Sequence, residues 1–277
     1  MRTWLDHDRL GGAGAGADGA EAGADEGESV QGGLLRKGRT KCSISLMSRV
    51  PGAAVETVGA MVDVGLIETM RARGGRLRWL GRHLARLRAS VATLGLAAPP
   101  PDIADLALIA AGFGERVVRL ELRDGHVEVS TRDVVEEKAV ALVVSDEHYM
   151  PYPHKTTRRE QFGRALANAR RIGAHDALLV TADGFVAEGT AWSLFWWDNG
   201  TLFTPSQGLG ILPGIGRSRI VELTGVTEAR VQVSALAGKS LFLVNAVRGV
   251  VPISRLQGEP VPRDPRTAEL SSAFWPD

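Results

Sequence analysis

From Ala177 to Pro205 the chain reads as short apolar segments, ALLVTADG, FVAEG, SLFWWDNG and TLFTP, divided by tight-turn dipeptides. Segments this short do not complete a stable helix. D-G at 183–184 and N-G at 199–200 supply the left-handed backbone that two-residue turns need, so strands are expected here. The Trp196–Trp197 pair within them is expected in the core. The same logic covers RVVRLELRDGHVEVSTRD (116–133), which alternates about Asp124–Gly125 and reads as a hairpin. G-G at 74–75 marks a turn after strand-like sequence at 57–70. KAVALVVS (138–145) is a further strand, and SLFLVNAVRGVVPI (240–253) a strand, a bend and a second strand.

Helices separate these blocks. Leu80, Leu84, Leu87, Val91 and Leu94 recur at spacings of three and four, which predicts an amphipathic helix over 80–95. Three prolines within 98–102 end it. Shorter helices are expected over 102–113, over 158–173 with Gly173 as C-cap, and over 215–224 after Pro213–Gly214. The mixture is α+β in two lobes, with boundaries at 42–150 and 151–277 and Lys155 near the junction. Residues 11–33 are mostly Gly and Ala with interspersed acids and nothing bulky to bury, so 1–41 reads as a disordered tail.

Composition narrows the partners. A net charge of +1 over 277 residues gives no reason to expect nucleic acid. Cys42 is the only cysteine, which excludes an intramolecular disulfide and argues against a metal site. No apolar run reaches the roughly 18–20 residues of a membrane span, and no signal-peptide core opens the sequence, so a cytoplasmic protein is expected.

Five lysines stand among 33 basic residues, which makes each worth inspecting. Lys155 lies in a loop between two prolines and a helix; alone, such a lysine is usually a solvated surface residue. Glu188 follows a D-G turn on an alternating strand, where an edge-strand glutamate facing water is the ordinary reading. Gly214–Ile215–Gly216–Arg217 opens a helix, and helix N-terminal N–H groups bind phosphate well. Arg86 lies on the polar side of the 80–95 helix, where a solvated arginine is common. Asn245 ends an apolar strand and either caps that end or faces a substrate. Together they offer an amine for a Schiff base, a carboxylate for a ring nitrogen and a glycine-rich phosphate turn. That combination points to pyridoxal 5′-phosphate.

The same stretches resemble the fold-type IV pyridoxal-phosphate enzymes, which include branched-chain and D-amino-acid aminotransferases and 4-amino-4-deoxychorismate lyases. G-L-I-E-T-M-R at 65–71, R-H-L-A-R-L at 82–87, H-K-T-T-R-R at 154–159, D-G-F-V-A-E-G at 183–189 and G-I-L-P-G-I-G-R at 210–217 carry the resemblance, in the family's order. It implies a small α/β lobe beside a larger β-barrel-like lobe, and a homodimer acting on a small amino substrate. Lys155 would be the cofactor's lysine and Glu188 the partner of its ring nitrogen. Arg86 and the N–H groups of Ile215 and Gly216 would bind its phosphate. Asn245 and the backbone of Ala246 would face substrate and phosphate, and Arg119 or Arg123 a substrate carboxylate.

K-T-T-R-R and L-V-N-A-V-R-G-V-V-P are similar to the lyase patterns K-T-T-D-R and L-x-N-S-L-R-G-x-x-P. The resemblance thus implies a lyase making 4-aminobenzoate and pyruvate, with a class IV aminotransferase as the alternative. Ser193 replaces a usual Asn, Gly216 replaces a frequent Thr or Ser, and the family's first strand is not found before residue 57. These departures keep open a third reading, a degenerate homologue that acts as an interaction module.

Overall fold

The computed structural model describes residues 64–275. The expected tail at 1–41, Cys42 and the start of the 57–70 strand lie outside them. The first lobe runs β1 (Leu66–Arg73), β2 (Arg76–Leu77), α1 (Leu80–Leu94), α2 (Ile103–Ala111), β3 (Arg116–Arg123) and β4 (His126–Asp133). Its antiparallel sheet has the order β2-β1-β3-β4. The β3–β4 turn has Asp124 and Gly125 at φ 47° and 76°, as the D-G signal requires.

Strand alternation then sorts the side chains. Leu66, Met70, Ala72, Val118, Leu120 and Leu122 pack with Leu84 and Leu87 of α1 and Ile103 and Ala107 of α2. Glu68 shares the parity of Leu66 and Met70, so it too points at α1. Arg119, Glu121 and Arg123 lie on the opposite face.

The larger sheet is built from β5 (Val140–His148), β6 (Asp176–Val180), β7 (Val186–Gly189), β8 (Ser193–Asp198), β9 (Thr201–Pro205), β10 (Val226–Ala229), β11 (Ser240–Asn245), β12 (Gly249–Leu256) and β13 (Glu259–Pro260). Its order is β10-β9-β8-β11-β12-β5-β6-β7, with β13 beside β12. It curls into a half-barrel. One side chain in two from β5, β6, β8, β11 and β12 fills the inner core, among them Leu142, Leu178, Leu194, Trp196, Leu243 and Val251. Strand pairing carries this sheet back to Val140, ahead of the expected lobe boundary at residue 150.

Three helices cover the outside. The apolar stripe of α3 (Glu160–Arg171), made of Phe162, Ala165 and Ala169, packs on Ala177, Leu179 and Ala187. Ile220 of α4 (Ile215–Leu223) and Leu270 and Phe274 of α5 (Pro265–Phe274) pack on Phe195, Trp197, Phe242 and Val244. The two adjacent tryptophans therefore enter opposite cores, and both are buried. Helix α5 was not expected, although D-P at 264–265 marks its start. Asp264 accepts from the N–H of Arg266 at 3.0 Å, with Pro265 in the first turn. Among the described residues no helix is long and apolar enough to cross a membrane.

Asp176 ties the half-barrel's closing turn together. Its carboxylate accepts from the N–H of Ala177 (2.8 Å), the N–H and hydroxyl of Thr190 (2.9 and 3.0 Å) and the indole N–H of Trp192 (3.1 Å). Burial nevertheless pushes its pKa up. Asp176→Ala leaves buried donors without an acceptor and is expected to destabilise the fold by about 2–4 kcal/mol in urea unfolding. A loss below about 1 kcal/mol would mean that water replaces the carboxylate at little cost.

Candidate active site

The loop that carries Lys155 is bonded to the small lobe while its chain continues into α3 of the large one. The Lys155 carbonyl accepts from the N–H of Ile67 at 2.7 Å, and Thr157 donates to the carbonyl of Gly65 at 2.8 Å. Gly65 donates back to the Thr157 hydroxyl at 3.0 Å. The His154 ring bonds Ser90 of α1 at 3.0 Å. Residues 155–157 thus act as a short extra strand along β1, which fixes the lysine's backbone at the lobe junction. Lys155 is half-buried. Burial, and then the charges of Arg159 and Arg86, lower its pKa to about 7 against the opposing pull of Glu68 and Glu188.

Glu188, on β7, is 5% exposed. Burial raises its pKa to about 7, although the Tyr149 hydroxyl and the Leu212 N–H donate to it. The Tyr149 bond is 2.9 Å long, and the same hydroxyl lies 3.0 Å from the carbonyl of Gly210. Arg159 donates to the carbonyl of Thr190 at 2.6 Å and lies over Phe162 and Tyr152. Arg159 stood inside the H-K-T-T-R-R motif without being singled out. Its closeness to both titrating groups depends on tertiary packing.

Helix α4 starts at Gly214 with no side-chain cap. A Cβ on Gly216 would sit 2.9 Å from the carbonyl carbon of Asn245 and 2.9 Å from Cγ1 of Val244. A Cβ on Gly214 would sit 2.9 Å from Oγ of Ser193. The two glycines let the helix start press against the ends of β11 and β8. This accounts for the missing Thr or Ser at 216, because no side chain fits there. Arg86 reaches this start from the other lobe and donates to the carbonyl of Pro213 at 3.0 Å. Its Nε and Nη2 donate to the carboxylate of Glu68 at 2.9 and 2.6 Å.

Asn245 caps its strand end, one of the two readings left open by the sequence. Its Oδ1 accepts from the N–H groups of Val247 and Arg248 at 2.9 and 2.8 Å. Its Nδ2 donates to the carbonyl of Ala191 at 3.3 Å, and Ala246 beside it is buried. Arg119 and Arg123 both donate to Glu121, at 2.7 and 2.8 Å. The Arg123 stem passes close to Gly65, where a Cβ would meet its Cγ at 2.8 Å. The structure therefore brings Arg86 to the start of α4 and sets charged groups around Lys155 and Glu188. Arg119 and Arg123 lie on the adjoining sheet face with a carboxylate between them.

A lysine of lowered pKa, a buried carboxylate and an uncapped helix start beside an arginine are groups of the kind that a phosphate-bearing aldehyde cofactor needs. Residues 65–256 match the amino-transferase class IV family, and the chain belongs to that family, whose members depend on pyridoxal phosphate. It is 32% identical over 123 residues to a Thermotoga maritima protein named "Probable branched-chain-amino-acid aminotransferase", covering 40% of this chain and 44% of that one. It is 28% identical over 117 residues to the aminodeoxychorismate lyase of Bacillus subtilis, covering 40% and 38%. The matched stretches thus span less than half of either relative. The branched-chain aminotransferase structure from Thermoproteus uzoniensis superposes with a TM-score of 0.71 over 76% of this chain and 84% of that one, at 22% identity.

Gly216→Ala is expected to destabilise the protein by about 1–3 kcal/mol, because the added methyl meets backbone that cannot retreat. Gly163→Ala, in an open position on α3, is the matched control and is expected to be neutral or stabilising by up to about 1 kcal/mol in the same thermal melts.

The two shifted groups also set a pH signature for the ligand-free protein. Glu188 titrates near 7 in the fold and near 4.5 unfolded, so stability falls as pH rises between those values. Lys155 titrates near 7 in the fold and near 10.5 unfolded, so stability recovers as pH rises from 7. Melting temperature across pH 5–10 is expected to dip near pH 7, and the double variant Lys155→Met, Glu188→Gln to flatten the dip. An unchanged dip in the double variant would assign it to other groups.

Proposed function

We propose that the protein is a pyridoxal-phosphate-dependent lyase that converts 4-amino-4-deoxychorismate into 4-aminobenzoate and pyruvate. The turn at Asn245–Arg248 carries this choice. Its asparagine oxygen accepts from the N–H groups of Val247 and Arg248, so the turn is built on that residue. N-A-V-R-G is similar to the lyase pattern and unlike the Thr/Ser/Ala-rich turn of the aminotransferases. The likeness to the Bacillus subtilis lyase supports the same reading.

In this reading Lys155 anchors the cofactor, and Arg86 with the N–H groups of Ile215, Gly216 and Ala246 holds its phosphate. When bound, the cofactor supplies an electron-withdrawing ring that stabilises negative charge on the carbon bearing the substrate's amine. Glu188 would hold a proton at the ring nitrogen, and the Tyr149 O–H and Leu212 N–H that donate to it favour the ionised form that this needs. Lys155, once the substrate's amine has displaced it, would be the base that takes the proton from the carbon bearing the amine. The adjacent ring carbon–oxygen bond would then break, the enolpyruvyl group would leave as pyruvate after taking up a proton from Lys155, and the ring would become aromatic. Arg119 and Arg123 meet a substrate carboxylate, with Glu121 moderating their charge. The protein works as a cytoplasmic homodimer.

The similarity to the Thermotoga maritima protein supports the alternative, an aminotransferase using 2-oxo acids. One cofactor-loaded sample separates the readings. Pyruvate release from 4-amino-4-deoxychorismate is expected, with its loss in Lys155→Ala. Loaded protein that releases none sinks the lyase, and bleaching of its visible absorbance by an amino acid supports the transferase. Failure to take up cofactor at all would support a non-catalytic homologue.

A further inference from the structure

Glu68 and His83 have no part in the reading above, yet both are 1% exposed and bonded to Arg86 or to each other. Glu68 accepts Nε and Nη2 of Arg86 on its two oxygens, and Nδ1 of His83 at 2.6 Å on the oxygen that also takes Nη2. Burial opposes a charge on Glu68, but Arg86 and the bonds from both neighbours outweigh it and hold its pKa at about 2. Burial also lowers the pKa of His83 and keeps its ring neutral. Its single N–H is therefore the one facing the carboxylate, and Nε2, buried, has no partner among the described residues.

This arrangement divides the guanidinium. Of five N–H donors, one on Nε and one on Nη2 go to Glu68, and one on Nη1 goes to the carbonyl of Pro213. One donor remains on each terminal nitrogen, at the helix start whose N–H groups are uncapped. A pair of parallel donors suits a phosphate, which takes such a fork in bidentate fashion. A free arginine side chain would sample many rotamers. Here one edge is clamped by a carboxylate that His83 holds in turn from α1.

We propose that Glu68 and His83 are positioning residues for Arg86, which aim its free edge at the start of α4 and so set the protein's preference for a phosphorylated ligand over its dephosphorylated form. The inference rests on the cofactor reading above. Glu68 also cancels much of the charge of Arg86, so its contribution is geometry rather than field. A purely electrostatic site would bind anions better without it.

The test compares affinity for pyridoxal phosphate with affinity for pyridoxal, followed by quenching of tryptophan fluorescence. Arg86→Gln gives the size of a full loss of the phosphate contact. Glu68→Gln keeps the shape but sets an amide NH2 against a donor, and is expected to cut the phosphate preference about tenfold or more. His83→Phe is expected to act in the same direction. His83→Asn, whose amide N–H replaces the lost donor, is expected to restore part of the preference. A fold defect would weaken both ligands alike, so an equal loss, or an unchanged preference in Glu68→Gln, overturns the proposal. If the unaltered protein does not prefer the phosphorylated ligand, the phosphate reading fails first and this inference with it.

Discussion

The amide of Ile67 and the carbonyl of Lys155 form the bond on which the site depends. It joins the second residue of β1 to a loop that belongs to the other lobe by sequence. Backbone pairing is a stiff and directional way to dock two lobes, because every residue paired fixes the next. Once residues 155–157 lie along β1, Glu68 and Lys155 are set at one junction from opposite sides. Helix α1 packs on the same sheet and brings His83, Arg86 and Ser90 to it. No long side chain has to search for its place, and the charged groups meet because the backbone strips meet.

That docking explains the electrostatics. Lys155 and Glu188 are each pushed toward neutrality by burial, Arg159 adds positive potential at both, and Arg86 adds it at Lys155. Glu68 is the exception. With two arginine donors and one imidazole donor on its oxygens it stays ionised. The two buried glutamates therefore have opposite fates, decided by the charge of Arg86 against Glu68 and by the hydrogen bonds that come with it. The glycines at 214 and 216 serve the same economy of space, as the helix start can approach β11 only where no Cβ intervenes.

Much of this was legible in the residues. Alternation and D-G or N-G dipeptides located the strands and turns, because those signals are local, and the α1 stripe was equally plain. The motifs at 154–159 and 183–189 marked where Lys155 and Glu188 lie along the chain. What each side chain touches was less visible. Asn245 read equally well as cap or contact, and only the fold shows its oxygen on the N–H groups of Val247 and Arg248. Glu68, His83 and Arg159 were within quoted motifs but passed over, since their partners come from distant segments. Arg119 and Arg123 were noted for their charge, while Glu121 between them, visible in the same strand, was not weighed. Strand β5 precedes residue 150 yet pairs with β12 and β6 of the larger sheet, a partnership that cannot be read from its own sequence.

The Tyr149 hydroxyl stands within bonding distance of both Glu188 and the carbonyl of Gly210, and it has one hydrogen to give. While Glu188 is ionised, the carboxylate is the stronger acceptor and holds that hydrogen. Once Glu188 takes up a proton, its claim weakens, and the phenol is free to turn toward the loop that leads into the glycine start of α4. The direction of a single O–H bond thus reports the charge of Glu188 to the backbone at Gly210. A proton gained at one end of the site is felt as a hydrogen bond gained at the other.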